Sequence, residues 1–487
     1  MSKLRAKTIG SSIKLHRYFA WFGGLAFLMF GLSGLTHPIM TRTGPQPAQF
    51  FPPQAQISPE DLQTLPQILD QFDEARIVKL LPSAGGLKLQ ISGDLDRRYI
   101  DLKTGEELIG YDEQHAIWLA RYYSGDWDSK VHKIDWQTEF SDAYPWVNRL
   151  LPVYRVQFER DDRLTAFVHT ETNALGNLTN DYKTLMQSIF RNIHTWAWLE
   201  KSNHFRVLAL SMLLVCLFTM SLFGLALIFL LKHRRRMPAL RFWHRITSYL
   251  VAIPVLAFSA SGFYHLLHHA YKEVTRGLAL ADQIQLSDHQ LHEDMGWLER
   301  FSDIQMNVVS LVQGPEERLF YRLSLSQGKP AEQVTRNARF DGVPLEKAAV
   351  YVDATLGDLA DLDDQAMAIY YAEKHFGYDP NLLQQSSLVT QFNHNYDFRN
   401  KRLPVWQLEY LTPSRDIIFI DPATGALVDR SQRLDRAEGM SFSILHKWNI
   451  VVPLIGRYWR DVLIMLSLVL GLVTTVSGYT MLLKLRR

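Results

Sequence analysis

Four stretches of this chain are long and apolar enough to cross a bilayer as helices, and no other feature constrains the fold as much. A crossing takes about 20 residues of helix. The stretches run Tyr18–Met40, Val207–Leu231, Trp243–Leu267 and Val462–Leu483, and the second contains no charged residue. The third contains Pro254, which membrane helices tolerate because neighbouring groups satisfy the freed backbone. The first is too long for the apolar core of a cleavable signal, and no A-x-A site follows it.

Basic residues in short flanking segments set the orientation, because such segments stay in the cytoplasm. Lys3, Arg5, Lys7, Lys14 and Arg17 precede the first helix; Lys232, Arg234, Arg235, Arg236 and Arg241 sit between the second and third; Lys484, Arg486 and Arg487 follow the fourth. The expected organisation is a cytoplasmic N-terminus and first helix over 1–40, a periplasmic domain over 41–205, and a second helix over 206–232. A cytoplasmic loop over 233–242, a third helix over 243–270, a second periplasmic domain over 271–458, and a fourth helix with a cytoplasmic tail over 459–487 complete it. This describes a multi-pass membrane protein with most of its mass outside the cytoplasm, in the periplasm if the cell is Gram-negative.

Composition removes several functional classes. With 52 Lys and Arg against 50 Asp and Glu, the net charge of +2 argues against a nucleic-acid-binding chain. The single cysteine, Cys216, excludes an intramolecular disulfide, a Cys-ligated iron–sulfur cluster, a multi-Cys zinc site and CxxCH haem attachment. No GxGxxG follows a plausible strand, so no nucleotide-binding fold is expected. A redox centre would have to be held by other residues, and 17 histidines are present.

The chain also repeats itself. His16 and His37 are 21 residues apart, as are His244 and His265, within LHRYFAWFGGLAFLMFGLSGLTH and WHRITSYLVAIPVLAFSASGFYH. The polar segments repeat at a constant offset of 252: Asp101 to Gly105 answers Asp353 to Gly357, and His169 to Asn173 answers Asp421 to Gly425. LPVYRVQF from Leu151 answers LPVWQLEY from Leu403, and His194-Thr-Trp answers His446-Lys-Trp. Alternating residues around Gly105, Asn173, Gly357 and Gly425, types that accept positive φ, predict β-hairpins. The fold class expected is therefore an α+β membrane protein: four helices as two tandem repeats, with antiparallel α+β domains outside the membrane. Parallel repeats about an axis along the membrane normal are an established arrangement.

A histidine near the hydrocarbon layer is costly and faces the bundle interior. Here each has a mate, and a pseudo-two-fold axis brings mates face to face, as bis-histidine ligation of a b-type haem requires. His16/His244 form the candidate inner pair. His194/His446 and His37/His265 compete for the outer one, with crossed pairs such as His37/His446 also open. A bend near Asn203 and Gly456 is expected to lay the Trp-rich segments after His194 and His446 along the membrane surface. His204, His233, His268 and His269 read as interfacial, Cys216 as packing, and the aromatics Trp118, Tyr122, Tyr123, Trp127, Trp136, Tyr370, Tyr371, Phe376 and His375 mostly as core or interface residues.

At these residues the chain resembles the PepSY-associated transmembrane-helix family, whose members include ferric-siderophore reductases of the bacterial inner membrane. The resemblance covers nearly the whole chain and rests on LHRY at His16, FWHR at His244, NIHTW at His194, ILHKW at His446, and the segments FIDPATGAL and DLKTGEEL. It implies a haem-binding four-helix core, about two haem b per chain, periplasmic PepSY-like domains and a role in iron acquisition. Residue by residue it points to His16, His194, His244 and His446 as axial ligands, with His37 and His265 as alternative or additional ones. Some relatives carry a fused flavin-reductase domain, which this sequence lacks, so a quinone or a separate cytoplasmic reductase is the expected electron donor. The implied activity is reduction of a ferric siderophore or other ferric chelate from Fe3+ to Fe2+ on the periplasmic side. A second reading is a PepSY-type binding or regulatory protein without redox activity. A transporter is disfavoured because the membrane segments hold almost no charged or strongly polar residues where coupling ions would need them.

Overall fold

The computed structural model describes residues 3–53, 57–93, 96–231, 237–271, 279–301, 305–326, 349–393 and 395–484. Lys232, His233, Arg234, Arg235, Arg236, Arg486 and Arg487 lie outside the described residues. Its α-helices are α1 (Lys3–Thr43), α2 (Leu65–Leu69), α3 (Tyr111–Ser124), α4 (Asp181–Ile189), α5 (Asn203–Leu230), α6 (Ala239–Tyr271), α7 (Asp364–Lys374), α8 (Arg433–Ser441) and α9 (Val452–Lys484). The chain divides into a helical unit, built from Met1–Gly44, Tyr182–Val274 and Leu434–Arg487, and an α/β unit, built from Pro45–Asp181 and Thr275–Arg433.

Four helices of the helical unit are long and apolar enough to span a membrane, and each begins before the apolar stretch that announces it. Leu, Met and Ala, strong helix formers, dominate α5. That helix is apolar on all sides, and Phe205, Leu208, Met212, Leu222 and Phe229 are exposed along it, as lipid-facing side chains are. Helix α1 packs on α5 and α9, and both of these pack on α6. A Cβ on Gly23 would lie 2.8 Å from the carbonyl oxygen of Cys216, so only glycine permits this approach of α1 to α5. Ala26, Phe27, Leu217, Val251, Val255 and Leu468 fill the middle of the bundle.

The chain enters α5 and α9 by the same route. A π-helical turn, Phe190–His194 or Phe442–His446, is followed by a tryptophan with positive φ and then a 3-10 turn. Those tryptophans are Trp196 (φ 52°) and Trp448 (φ 50°). The reversal falls there rather than at Asn203, which already begins α5. Gly456, with φ 75°, breaks the first turns of α9.

The α/β unit holds strands β1 (Glu74–Ala75), β2 (Ile77–Ser83), β3 (Gly86–Ser92), β4 (Arg97–Asp101), β5 (Val131–Gln137), β6 (Val153–Phe158), β7 (Thr165–His169) and β8 (Ala174–Thr179). The later segment adds β9 (Ile284–Gln285), β10 (Gln305–Gln313), β11 (Leu319–Ser326), β12 (Val350–Asp353), β13 (Leu383–Val389), β14 (Val405–Tyr410), β15 (Ile417–Asp421) and β16 (Ala426–Ser431). Two four-stranded sheets have the orders β5-β6-β7-β8 and β13-β14-β15-β16, and a six-stranded sheet runs β12-β11-β10-β2-β3-β4. That last sheet joins the two long polar segments, through Ser310↔Lys79 and Leu311↔Val78. The predicted turns have their positive φ at Gly105 (70°), Asn173 (52°), Gly357 (73°) and Gly425 (65°). Those at Asn173 and Gly425 close full hairpins, β7–β8 and β15–β16. Those at Gly105 and Gly357 return through one bridge each, Ile100↔Glu107 and Val352↔Leu359. Tyr123 and Tyr371 are fully buried in core clusters and Trp118, Tyr122, Tyr370 and Phe376 pack against them, whereas Trp127 and Trp136 are exposed.

A buried ionic network links segments distant in sequence. Glu171, in the β7–β8 turn, accepts from Lys79 Nζ of β2 at 3.0 Å and from the Arg402 guanidinium. Arg402 also reaches Asp421 at 3.1 Å, at the end of β15. Burial alone would raise the Glu171 carboxyl, but the cations of Arg402 and Lys79 outweigh it and hold the group well below the ordinary glutamate value of 4.5. A depressed carboxyl stabilises the fold above its unfolded value and loses that contribution as pH falls. Amide exchange of β7 and β15 in the full chain, corrected for intrinsic rates, is therefore expected to lose protection as pH falls, first below about 6.5, where unfolding lets the buried neutral His169 of β7 take up a proton, and further below the model-peptide carboxylate range. Glu171→Ala, which takes from Lys79 its carboxylate partner and leaves Arg402 with Asp421 alone, is expected to cost about 3–5 kcal/mol of protection at neutral pH.

Candidate functional site

The helical unit brings His16 of α1 and His244 of α6 together, with ring centres 6.5 Å apart and planes at 63°. His16 Nδ1 lies 2.8 Å from the carbonyl oxygen of Met220 on α5, and His244 Nδ1 lies 2.9 Å from that of Thr474 on α9. A carbonyl only accepts, so each Nδ1 carries the proton and each Nε2 keeps its lone pair. Neither Nε2 has a hydrogen-bond partner among the described residues. Glycine faces both rings: a Cβ on Gly224 would sit 3.2 Å from His16 Cε1, and one on Gly478 would sit 3.1 Å from His244 Cε1.

His194 and His446, each closing a π-helical turn, are electrostatic neighbours. His194 Nδ1 lies 3.0 Å from Ser33 Oγ, and His446 Nδ1 lies 3.2 Å from Ser261 Oγ. Both hydroxyl protons are committed elsewhere, Ser33 donating to the Met29 carbonyl and Ser261 to the Ala257 carbonyl, each at 2.7 Å. With the hydroxyl protons so assigned, the imidazoles donate from Nδ1, which again leaves Nε2 as the lone-pair nitrogen. Phe190 stacks on His194 at 4.7 Å and Phe442 on His446 at 4.5 Å. Phe30 and Phe258 meet the same two rings edge-on, both at 5.4 Å. Gly34 and Gly262 leave room beside them, their Cβ positions 3.8 and 3.9 Å from Cε1.

His37 and His265 lie one ring further out. Phe190, stacked on His194, has His37 at 5.5 Å; Phe442, stacked on His446, has His265 at 4.2 Å. His265 Nδ1 is engaged by Glu438 at 2.6 Å. Of the remaining histidines, His204 is exposed near the start of α5, His268 pairs with Asp435 at 2.8 Å, and His269 packs on His265 at 4.3 Å. The serines and glycines that position the rings were not singled out for this role from sequence. The late Ser-x-Gly and Ser-Gly of the two matching segments, Ser33 with Gly34 and Ser261 with Gly262, were the available signal.

The separation of His16 and His244 is of the size that a bis-histidine haem would need. Two imidazoles bound to opposite sides of one metal at about 2.0 Å, with each nitrogen about 1.1 Å from its ring centre, set the ring centres about 6.2 Å apart. His16 and His244 are within a few tenths of an ångström of that separation. Ser33, which anchors His194, lies 17 residues after His16 on α1, about 26 Å along a helix. The two histidine pairs thus stand at opposite ends of the bundle. No protein-family model matches the chain, and no curated protein matches it. The arrangement of side chains therefore carries the functional argument.

The glycine positions are directly testable. Gly478→Val forces β-carbon bulk onto His244 and is expected to cost about 1–3 kcal/mol by overpacking. Gly439, with nothing within 4 Å of its Cβ position, is the control: Gly439→Ala is expected to leave the thermal midpoint of the detergent-solubilised chain unchanged or slightly raised.

Proposed function

We propose that this chain is a tandemly duplicated di-haem b protein of the bacterial inner membrane that passes electrons to a ferric siderophore or other ferric chelate. The observation that carries the reading is the common state of four histidines. His16, His244, His194 and His446 each spend Nδ1–H on a carbonyl or a committed hydroxyl and hold Nε2 free to ligate. A second partner of this kind fixes tautomer and ring orientation and raises ligand basicity, as it does around metal-bound imidazoles.

His16 with His244 would hold one haem and His194 with His446 the other. Bound there, b-type haem supplies reversible one-electron transfer. The protein's part is to hold the imidazoles still, to keep water from them with Phe30, Phe190, Phe258 and Phe442, and to space the pairs across the bilayer. The basic flanks of the helices support a topology with both termini in the cytoplasm and the long polar segments in the periplasm. The reaction adds one electron to a chelated Fe3+ to give Fe2+, with a quinol or a separate cytoplasmic reductase as the donor. Siderophores hold ferrous iron far more weakly than ferric, so the metal leaves without the chelator being broken. No protein nucleophile or general acid is needed. A binding or regulatory module would leave the matched tautomers of four histidines without a purpose.

A dithionite-reduced minus oxidised spectrum of the detergent-purified chain, with a pyridine haemochrome assay, is expected to show a b-type α-band and two haems per chain. His16→Ala and His446→Ala should each remove one. Ser33→Ala and Ser261→Ala, which remove only an Nδ1 acceptor, should weaken haem retention at the second pair by about 10–100-fold. Colourless protein from haem-sufficient cells would overturn the proposal.

A further inference from the structure

The carboxy-terminal end of α6 holds a group of ligating side chains that bis-histidine haem binding does not use. His265 and His269 are one turn apart on α6 and so share a face. Helix α8 brings Glu438 to them, and the ligating atoms of the three residues lie within 4.8 Å of one another. Glu438 Oε1 is 2.6 Å from His265 Nδ1 and Oε2 is 3.8 Å from His269 Nε2. Two ligands of a tetrahedral ion with bonds of about 2.0–2.1 Å are about 3.3 Å apart, between these two separations.

The surroundings are those of a built site. Glu438 is 7% exposed, and a buried carboxylate is costly unless it is paired or coordinated. Phe442 stacks on His265 at 4.2 Å and fixes that ring. Beside the group, His268 is paired with Asp435 at 2.8 Å. The His265 and His269 side chains remain 39% and 44% exposed, leaving one side open for a water or another exogenous ligand.

Packing does not demand this polarity. His37 occupies the place in α1 that matches His265, but Met40 and Thr41 stand where His268 and His269 do. Lys183 and Met186 of α4 stand where Asp435 and Glu438 do in α8. The first half thus builds the same helix junction around one histidine and two methionines. The acidic and imidazole groups were added, or kept, in the second half alone.

We infer that His265, His269 and Glu438 form a binding site for one borderline divalent transition-metal ion, of the class of Zn2+, Cu2+, Ni2+ or Fe2+. Two neutral imidazoles and a carboxylate suit such ions, whereas Mg2+ and Ca2+ prefer oxygen ligands alone. Three protein ligands with an open fourth position describe an exchangeable site rather than a closed structural one. The inference goes beyond electron transfer and holds whether or not haem is bound.

The test is calorimetric titration of chelator-treated, detergent-purified full chain with Zn2+, a redox-silent probe. One Zn2+ per chain is expected, weakened at least tenfold in Glu438→Gln, which keeps the side chain's shape, and in His269→Ala. In the wild-type chain, Zn2+ should protect His265 and His269, but not exposed His204, from diethylpyrocarbonate modification, a readout that needs no variant to fold. Absence of Zn2+ binding, titrations unchanged in both variants, or modification of His265 and His269 indifferent to Zn2+ would each overturn the site. The haem spectrum, recorded on the same samples, reports separately on the electron-transfer reading.

Discussion

An imidazole placed inside an apolar helix bundle must find a partner for its N–H, and the helical unit is organised around that requirement. Each of the four central histidines meets it with a group from a helix other than its own. The acceptors are main-chain carbonyls of Met220 and Thr474 and hydroxyls of Ser33 and Ser261. Each bond therefore orients a ring and also sets the register of two elements against each other. An unpaired polar group here would cost its full desolvation, so helices slipped by a turn would lose both packing and hydrogen bonding. The same demand explains why Ser33 and Ser261 donate back to their own helices, since that fixes them as acceptors toward the histidines.

Much of this architecture was legible in the sequence. Apolar length located the four long helices, because a membrane helix needs little beyond length and low polarity. The turn residues Asn173 and Gly425 announced their hairpins, since few residues accept positive φ. The equal spacing of His16 to His37 and His244 to His265 pointed to pairs of ring positions. What sequence could not supply was partnership at a distance. Met220 and Thr474 act through main-chain carbonyls, which every residue has, so no side-chain pattern marks them. The pairing of β2 with β10 is likewise a backbone event between segments more than two hundred residues apart, and hydrophobic alternation carries no information about which strand a strand will meet. Nor did composition distinguish His265 from His37. The difference lies in Glu438 and His269, and only folding brings those to His265.

The α/β unit shows the corresponding logic in a polar setting. Equivalent features recur 252 residues apart: cis Leu151–Pro152 and Leu403–Pro404, positive φ at Arg149 and Lys401, and hydroxyls of Tyr144 and Tyr396 donating to the carbonyls of residues 150 and 402. The charges break that correspondence. Arg402 answers to Leu150 in the first half, and Glu171 answers to Ala423 in the second. Arg402 and Glu171 meet each other in the ionic network, so each partner exists in one half only. By the 252-residue correspondence, the mate of the Arg402–Glu171 contact is Leu150 with Ala423, which carries no charge. The ion pair is therefore made once, between the two long polar segments.

The helix junctions beside His194 and His446 differ in another way. At one, His37 sits among Met40, Thr41, Lys183 and Met186; at the other, His265 sits among His268, His269, Asp435 and Glu438. Both support the same phenylalanine, Phe190 or Phe442, against the neighbouring histidine, so the ring geometry survives the change of surroundings. The electrostatics do not survive it. One junction presents a lysine and thioethers; the other presents two carboxylates and three imidazoles. A redox group between them would therefore experience two unlike sides, and a cation held by Glu438 would favour its reduced state, because added positive charge stabilises added electrons. The rings of His194 and His446 thus keep the same geometry while the charges one ring away differ.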